Sequence, residues 1–203
     1  MKHPQTAGHE SLPDSHQDVY SKTLFGFWVY LLTDFVFFSA LFATYIVLHS
    51  GTYGGPTSRE LFHLPCTLAQ TLLLLVSSFT IGLGGVAAHR GNKKWTILLF
   101  GISFLLGLIF MGMQFGEFFR LINAGNSWER SAFLSAFFTL VGTHMLHVVF
   151  ALLWVIVLII PVCLQGITEV SLRRLICLKM FWQFINVVWI FIFSIVYLLG
   201  GSY

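Results

Sequence analysis

Five polar residues interrupt long apolar stretches of this sequence and are its main candidates for chemistry: Asp34, His144, His147, Gln183 and Asn186. The pairs 144/147 and 183/186 have the i,i+3 spacing that places two side chains on one face of a helix. A carboxylate and two imidazoles can take up and release protons, whereas the amides can only donate and accept hydrogen bonds. The set therefore indicates either proton movement or hydrogen bonding between helices.

A second polar pair, Gln114 and Glu117, also has i,i+3 spacing and lies near the end of another apolar stretch. Patterns that bind metal are scarce. Di-iron bundles use Glu-x-x-His repeats on two helices, which the sequence lacks, and the histidines inside apolar stretches, His144 and His147, lie on one helix. A site built from Asp34 and these histidines is the remaining metal alternative. We expect no catalytic, metal or cofactor-binding residue in this chain.

The elements that must position these residues are apolar and long. Of 203 residues, 57% are hydrophobic and 9% charged, against about 25% charged in soluble domains. Each stretch exceeds the ~20 residues that cross a bilayer, and helices satisfy their own backbone there. The sequence predicts an all-α polytopic membrane protein, with a polar N-terminal tail at 1–23 and a five-helix transmembrane domain at 24–203. The predicted spans are about 24–48, 64–88, 95–121, 132–163 and 175–200.

Basic residues predict the orientation of the bundle. Five spans place the N-terminal tail and the second and fourth connections on one side of the membrane. That side carries eight basic residues, and the other carries Arg59, Arg120 and Arg130. By the positive-inside rule the N-terminus is cytoplasmic and the C-terminus lies outside. The net charge of +3 is too small and too dispersed to indicate nucleic-acid binding.

Depth along the predicted helices brings the five central residues into one layer. At 1.5 Å per residue, Asp34, the two histidines and the two amides all lie ~12–22 Å from the nearer span end. We therefore expect a polar belt that links the first, fourth and fifth helices near the bilayer centre. Gln114 and Glu117 form a separate pair towards the outer end of the third helix. The belt either modulates proton movement or joins helices, at roughly 0.6–2 kcal/mol per hydrogen bond.

Several separated motifs point to one family. They are GFWVYLLTD at 26–34, SAFLSAFF at 131–138, GTHMLHV at 142–148 and WQFINVVW at 182–189. Together they resemble the short, five-helix subunit III of cytochrome o (bo-type) ubiquinol oxidases, within the heme–copper oxidase subunit III family. The similarity covers nearly everything after residue 23.

The resemblance implies a function that the chain does not perform alone. Subunit III is an accessory, non-redox part of a proton-pumping oxidase in the bacterial inner membrane, working with other subunits in aerobic respiration. The hemes and copper belong to subunit I, on which subunit III packs, and membrane phospholipid binds in a cleft. Subunit III supports the stability and proton uptake of subunit I. Asp34, His144, His147 and Glu117 match family positions.

Two family positions differ in this chain, since Gln183 and Asn186 stand where the family usually has His and Asp. Amides keep the shape and the hydrogen bonding but cannot titrate. We therefore expect this part of the belt to be structural.

Three alternatives remain open. One is subunit III of a cytochrome c or menaquinol oxidase, and another is a scaffold that only stabilises a partner. The third is a small proton-coupled transporter that uses Asp34 and the histidines. The sequence gives the transporter little support, because it has no inverted repeat and no helix pair broken by Gly or Pro.

Overall fold

A computed structural model of the chain describes residues 15–49, 51 and 64–199. Within these ranges five helices are long and apolar enough to cross a membrane. The predicted all-α bundle is therefore confirmed, and the chain is a multi-pass membrane protein. The helices are α1 (Ser15–Leu48), α2 (Leu64–His89), α3 (Lys93–Asn123), α4 (Ala132–Gln165) and α5 (Glu169–Ile192), which continues in π-helical geometry over Phe193–Leu199.

The first helix extends further than the predicted span, because α1 begins at Ser15 whereas the span begins at residue 24. The apolar run of α1 starts at Leu24. The additional turns are polar and continue the helix beyond the apolar part. Residues 1–14 of the predicted tail, and Arg59 in the first outer loop, lie outside the described residues.

Short connections hold α4 and α5 side by side. Only residues 166–168 separate the two helices. Gly166 has φ +83°, which L-amino acids with a side chain rarely adopt, so glycine permits the abrupt reversal. Thr168 then caps α5, since its Oγ1 accepts a hydrogen bond from the backbone N–H of Ser171 at 3.2 Å.

The fifth helix is central to the bundle. It contacts α1, α2 and α4, while α4 contacts α1, α3 and α5, and α2 pairs with α3. Among the five spans α5 has the largest buried share and α1 the smallest. The core is accordingly formed by α4 and α5, and α1 packs on its edge.

A polar clasp joins α2, α3 and α5 inside this core. The indole Nε1 of Trp182 donates to Oγ of Ser77 at 2.9 Å. Ser77 also contacts Ser103 of α3, whose hydroxyl lies 2.7 Å from that of Thr80. Two turns further along α5, Nε1 of Trp189 donates a hydrogen bond to Oγ1 of Thr71 in α2 at 3.1 Å. Two tryptophans therefore fix the height of α5 against α2.

We expect Trp182→Phe to lower the free energy of unfolding by about 0.6–2 kcal/mol, because it removes one buried interhelical hydrogen bond. Thermal unfolding of the detergent-purified chain measures the change. Phe184→Leu on the same helix is the control, since Phe184 is half-buried and makes no such bond. Equal stability of Trp182→Phe and the wild type would show that the clasp does not stabilise the bundle.

Candidate functional site

The structure brings Asp34 of α1 and His147 of α4 together. Nε2 of His147 lies 3.6 Å from Oδ2 of Asp34, and their side chains are 18% and 15% exposed. The hydroxyl of Tyr30, one turn before Asp34, faces the same carboxyl group. The pair is therefore mostly buried, and a small part of each side chain is exposed at the surface of the chain.

A hydrogen bond of the His147 ring determines which of its nitrogens carries a hydrogen in the neutral form. Its Nδ1 lies 2.8 Å from the backbone carbonyl of Thr143, which can only accept, so Nδ1 carries a hydrogen. A neutral ring then presents the lone pair of Nε2 to the Asp34 carboxylate, which is repulsive. A proton on either Nε2 or the carboxyl group removes this repulsion. The two side chains therefore attract each other only when one of these two groups carries a proton.

Aromatic rings enclose the Asp34–His147 pair on the side that faces the interior of the bundle. The centroid of the Phe38 ring lies 5.0 Å from that of His147, and the Phe181 ring lies at 6.3 Å. Both phenylalanines are buried. These rings offer no hydrogen bonds, so proton exchange with the pair has to occur through its exposed side.

His144 takes a different role although it lies on the same helix. Its side chain is fully buried, and Nε2 lies 3.2 Å from the backbone carbonyl of Ile185 in α5. Trp189 and Phe110 pack against the ring, with centroids at 5.3 Å and 6.1 Å. Since the carbonyl only accepts, Nε2 donates. His144 therefore joins α4 to α5 within the core.

The two amides of α5 separate in the structure. Asn186 is buried and its Nδ2 donates to the backbone carbonyl of Trp182 at 2.8 Å, within its own helix. Gln183 is exposed, and no hydrogen bond joins it to another residue in the described part of the chain. The predicted polar belt is thus not one network, because Gln183 faces outwards while His144 and Asn186 are buried.

The second predicted pair belongs to a buried polar cluster. Gln114 is fully buried and Glu117 is 8% exposed. Glu117 faces Gln70 of α2, and Gln114 faces Tyr197 in the π-helical end of α5. These side chains lie between α2, α3 and α5, near the C-terminal ends of α3 and α5.

A cleft of about 520 Å³ opens beside Tyr30, between α1, α4 and the start of α5. Its walls include Phe27 and Trp154, and two arginines, Arg173 and Arg174, line it. The cleft combines apolar rings with two cations, which suits an amphipathic anion.

The described residues contain no group of three or more His, Cys, Asp or Glu that could hold a metal ion.

Comparison with known proteins decides the family. The family model for cytochrome c oxidase subunit III matches residues 8–201. The chain belongs to this family. A cytochrome bo(3) ubiquinol oxidase subunit 3 from Pseudomonas aeruginosa is 48% identical over 194 residues, covering 96% of this chain and 92% of the relative. The same-named subunit from Buchnera aphidicola is 43% identical and covers 90% and 94%.

The subunit III family includes relatives named for different electron donors. A cytochrome c oxidase subunit 3 from Bacillus sp. strain PS3 is 41% identical, covering 93% of this chain and 91% of that one. The resemblance drawn from the four motifs is therefore confirmed, and all seven predicted site residues lie inside the matched region.

Within this subunit III chain, sequence reasoning missed three polar partners: Tyr30, Gln70 and Tyr197. Tyr30 and Asp34 are i,i+4 neighbours, and this spacing could have identified the tyrosine. Gln70 is an amide inside an apolar span, the same signal that identified Gln114. Tyr197 had no such signal, since a tyrosine near a span end is typical of the membrane interface.

Proposed function

We propose that this chain is the accessory, non-redox subunit III of a proton-pumping terminal ubiquinol oxidase in aerobic respiration. It packs on the heme- and copper-bearing subunit I and supports the stability and proton uptake of that subunit. The observation that carries the proposal is the 48% identity to a ubiquinol oxidase subunit 3 over 96% of the chain.

The Asp34–His147 pair is the part of the chain that we assign to proton uptake. It brings a carboxyl group and an imidazole within 3.6 Å of each other, and aromatic rings close it on the inner side. Its exposed side faces the surroundings of the chain, where a partner subunit or water can exchange a proton with it. His144 joins α4 to α5, Asn186 bonds within its own helix, Gln114 and Glu117 are buried between helices, and Gln183 faces outwards.

We assign the chain to the bacterial inner membrane, with a cytoplasmic N-terminus and a periplasmic C-terminus. The distribution of basic residues supports this orientation. It places Arg173 and Arg174 at the cytoplasmic side, together with the cleft that they line.

Membrane phospholipid is the ligand that we assign to this cleft. Its rings suit acyl chains, and its two arginines suit an anionic headgroup. We expect the double change Arg173→Gln/Arg174→Gln to weaken retention of anionic lipid by about fivefold per lost arginine, at ~1 kcal/mol each. Mass spectrometry of lipids that co-purify with the complex measures this loss. Arg90→Gln, an exposed residue on the same predicted side, is the control, and an equal loss there would exclude a specific site.

The function is tested by isolating a C-terminally tagged chain from native membranes in a mild detergent. A reduced-minus-oxidised spectrum and assays with ubiquinol and with reduced cytochrome c follow on the eluate. Heme and ubiquinol-dependent oxygen consumption are expected. Activity with cytochrome c alone would support the alternative that the Bacillus relative indicates. A heme-free chain that moves protons in liposomes would instead support the transporter.

A further inference from the structure

One face of α5 carries two polar side chains on the surface of the bundle, Lys179 and Gln183, at i,i+4 spacing. Lys179 is half-buried and Gln183 is exposed. Both lie over glycines of α2. A Cβ atom placed on Gly85 would lie 2.8 Å from Cδ of Lys179. A Cβ atom placed on Gly82 would lie 4.0 Å from Nε2 of Gln183. The glycines leave room for these side chains to run along α2 to the surface.

Neither polar group has a hydrogen-bonding partner among the described residues. No hydrogen bond or ion pair joins Lys179 or Gln183 to another of the residues that the structure describes. Counted at 1.5 Å per residue from residue 175, where the predicted fifth span begins, they lie ~6 Å and ~12 Å into the membrane. Lipid tails offer no hydrogen bonds at such depths, so an exposed amide there is costly unless another polar group meets it.

An apolar groove runs beside these groups, between α1 and α5. Its first part, about 330 Å³, includes Gln183 and is otherwise lined by apolar side chains such as Trp28 and Phe184. Its second part, about 310 Å³, shares Phe35 and Val187 with the first. The surface therefore combines a long apolar groove with the amide of Gln183 in its lining and, one turn earlier on α5, the cation of Lys179 over α2. We call it the α1/α5 groove.

We propose that the α1/α5 groove is the docking surface for a transmembrane helix of a partner subunit of the oxidase. The helix presents a carboxylate to Lys179 and, about one turn deeper, a hydrogen-bonding side chain to Gln183. The inference rests on the proposed function, since it needs a partner in the same complex. An acyl chain would fill the apolar walls but would leave Gln183 unsatisfied, whereas a polar partner helix satisfies both.

A photo-crosslinking residue placed at Val187 tests this surface in the intact complex. The control position is Leu146, which is 69% exposed on α4 and lies outside the groove. Irradiation of the purified, heme-containing complex should join Val187 to another oxidase subunit, and Leu146 to lipid or to nothing. Lipid adducts alone at Val187, or adducts with a second copy of this chain, would overturn the proposal while the heme content shows that the complex is intact. A wild-type eluate without heme would overturn the proposed function and this inference together.

Substitutions of the polar pair give an independent measurement. Gln183→Leu and Lys179→Met should increase the fraction of complex that loses this chain in a harsher detergent by about threefold or more each. Thr139→Val is the matched control, because Thr139 is exposed on α4 and its hydroxyl bonds its own backbone. Equal losses in the control and in both variants would contradict the assignment of these groups to the interface.

Discussion

Replacing Asp34 with asparagine is expected to leave the oxidase assembled but to reduce its proton pumping and its catalytic lifetime. The amide has the shape of the carboxyl group, and its N–H can donate to the lone pair of Nε2 on His147. The contact that holds α1 against α4 is therefore kept, at 3.6 Å in the native chain. The amide cannot take up a proton, so the pair loses its ionisable carboxyl group.

The expected size of this effect is about twofold to thirtyfold, the range seen when residues that modulate a distant site are changed. Heme content per tagged chain measures assembly. Protons released per electron and turnovers completed before inactivation measure function. Asp34→Glu keeps a titratable group and should behave nearly as the native chain does. Unchanged pumping and lifetime in Asp34→Asn would instead show that this subunit acts only as a scaffold.

A double change separates the pair from its individual members. If Asp34 and His147 act together, Asp34→Asn/His147→Gln should reduce proton pumping and catalytic lifetime little more than Asp34→Asn alone does, because the single change already breaks the pair. The same second change made at His144 should add its own loss of stability, since that ring joins α4 to Ile185 rather than to Asp34. If the effects of both histidine changes simply added to that of Asp34→Asn, Asp34 and His147 would not act as a pair.

Replacing Gly107 is expected to have the largest effect on stability. A Cβ atom there would lie 2.8 Å from Cη2 of Trp182 and 3.0 Å from Cδ2 of Leu152. Trp182 cannot easily yield, because it is buried and its indole N–H is bonded to Ser77. Gly107→Ala should therefore lower the free energy of unfolding by about 1–3 kcal/mol, the usual cost of overpacking. Gly107→Leu should remove the chain from the complex.

Other glycines of α3 provide matched controls. Gly101 and Gly112 have open space where a Cβ atom would be placed. Alanine at either position should be neutral or stabilise the helix by about 0.5–1 kcal/mol, because glycine is the poorer helix former. Thermal unfolding in one detergent compares all three variants. Similar destabilisation at Gly101 and Gly107 would show that α3 and α5 do not pack as described.

The architecture of the bundle could be predicted from the sequence because the bilayer leaves few choices. Five apolar stretches longer than a membrane span must be helices, since their backbone groups have no water to bond. The same condition made Asp34 and the two histidines stand out, because ionisable groups are rare at that depth. In the structure α2 begins at Leu64 and α4 at Ala132.

Contacts between helices could not be predicted in the same way. The i,i+3 spacing places His144 and His147 on one broad face, yet they are about 60° apart around the helix axis. That angle is enough for one to meet Asp34 of α1 and the other Ile185 of α5. Gln183 and Asn186 differ by the same angle, and one is exposed while the other is buried.

The sequence by itself therefore determined the class of protein, its five spans, its family and the residues that could titrate inside the membrane. Each of these follows from composition, local spacing or motif, which do not depend on how the helices meet. Only the tertiary structure decided that Asp34 pairs with His147, that Gln183 faces outwards, and that Gly107 packs closely against Trp182. These outcomes depend on the rotation and height of each helix against its neighbours, which are fixed by contacts between residues far apart in the chain, such as Trp182 with Ser77.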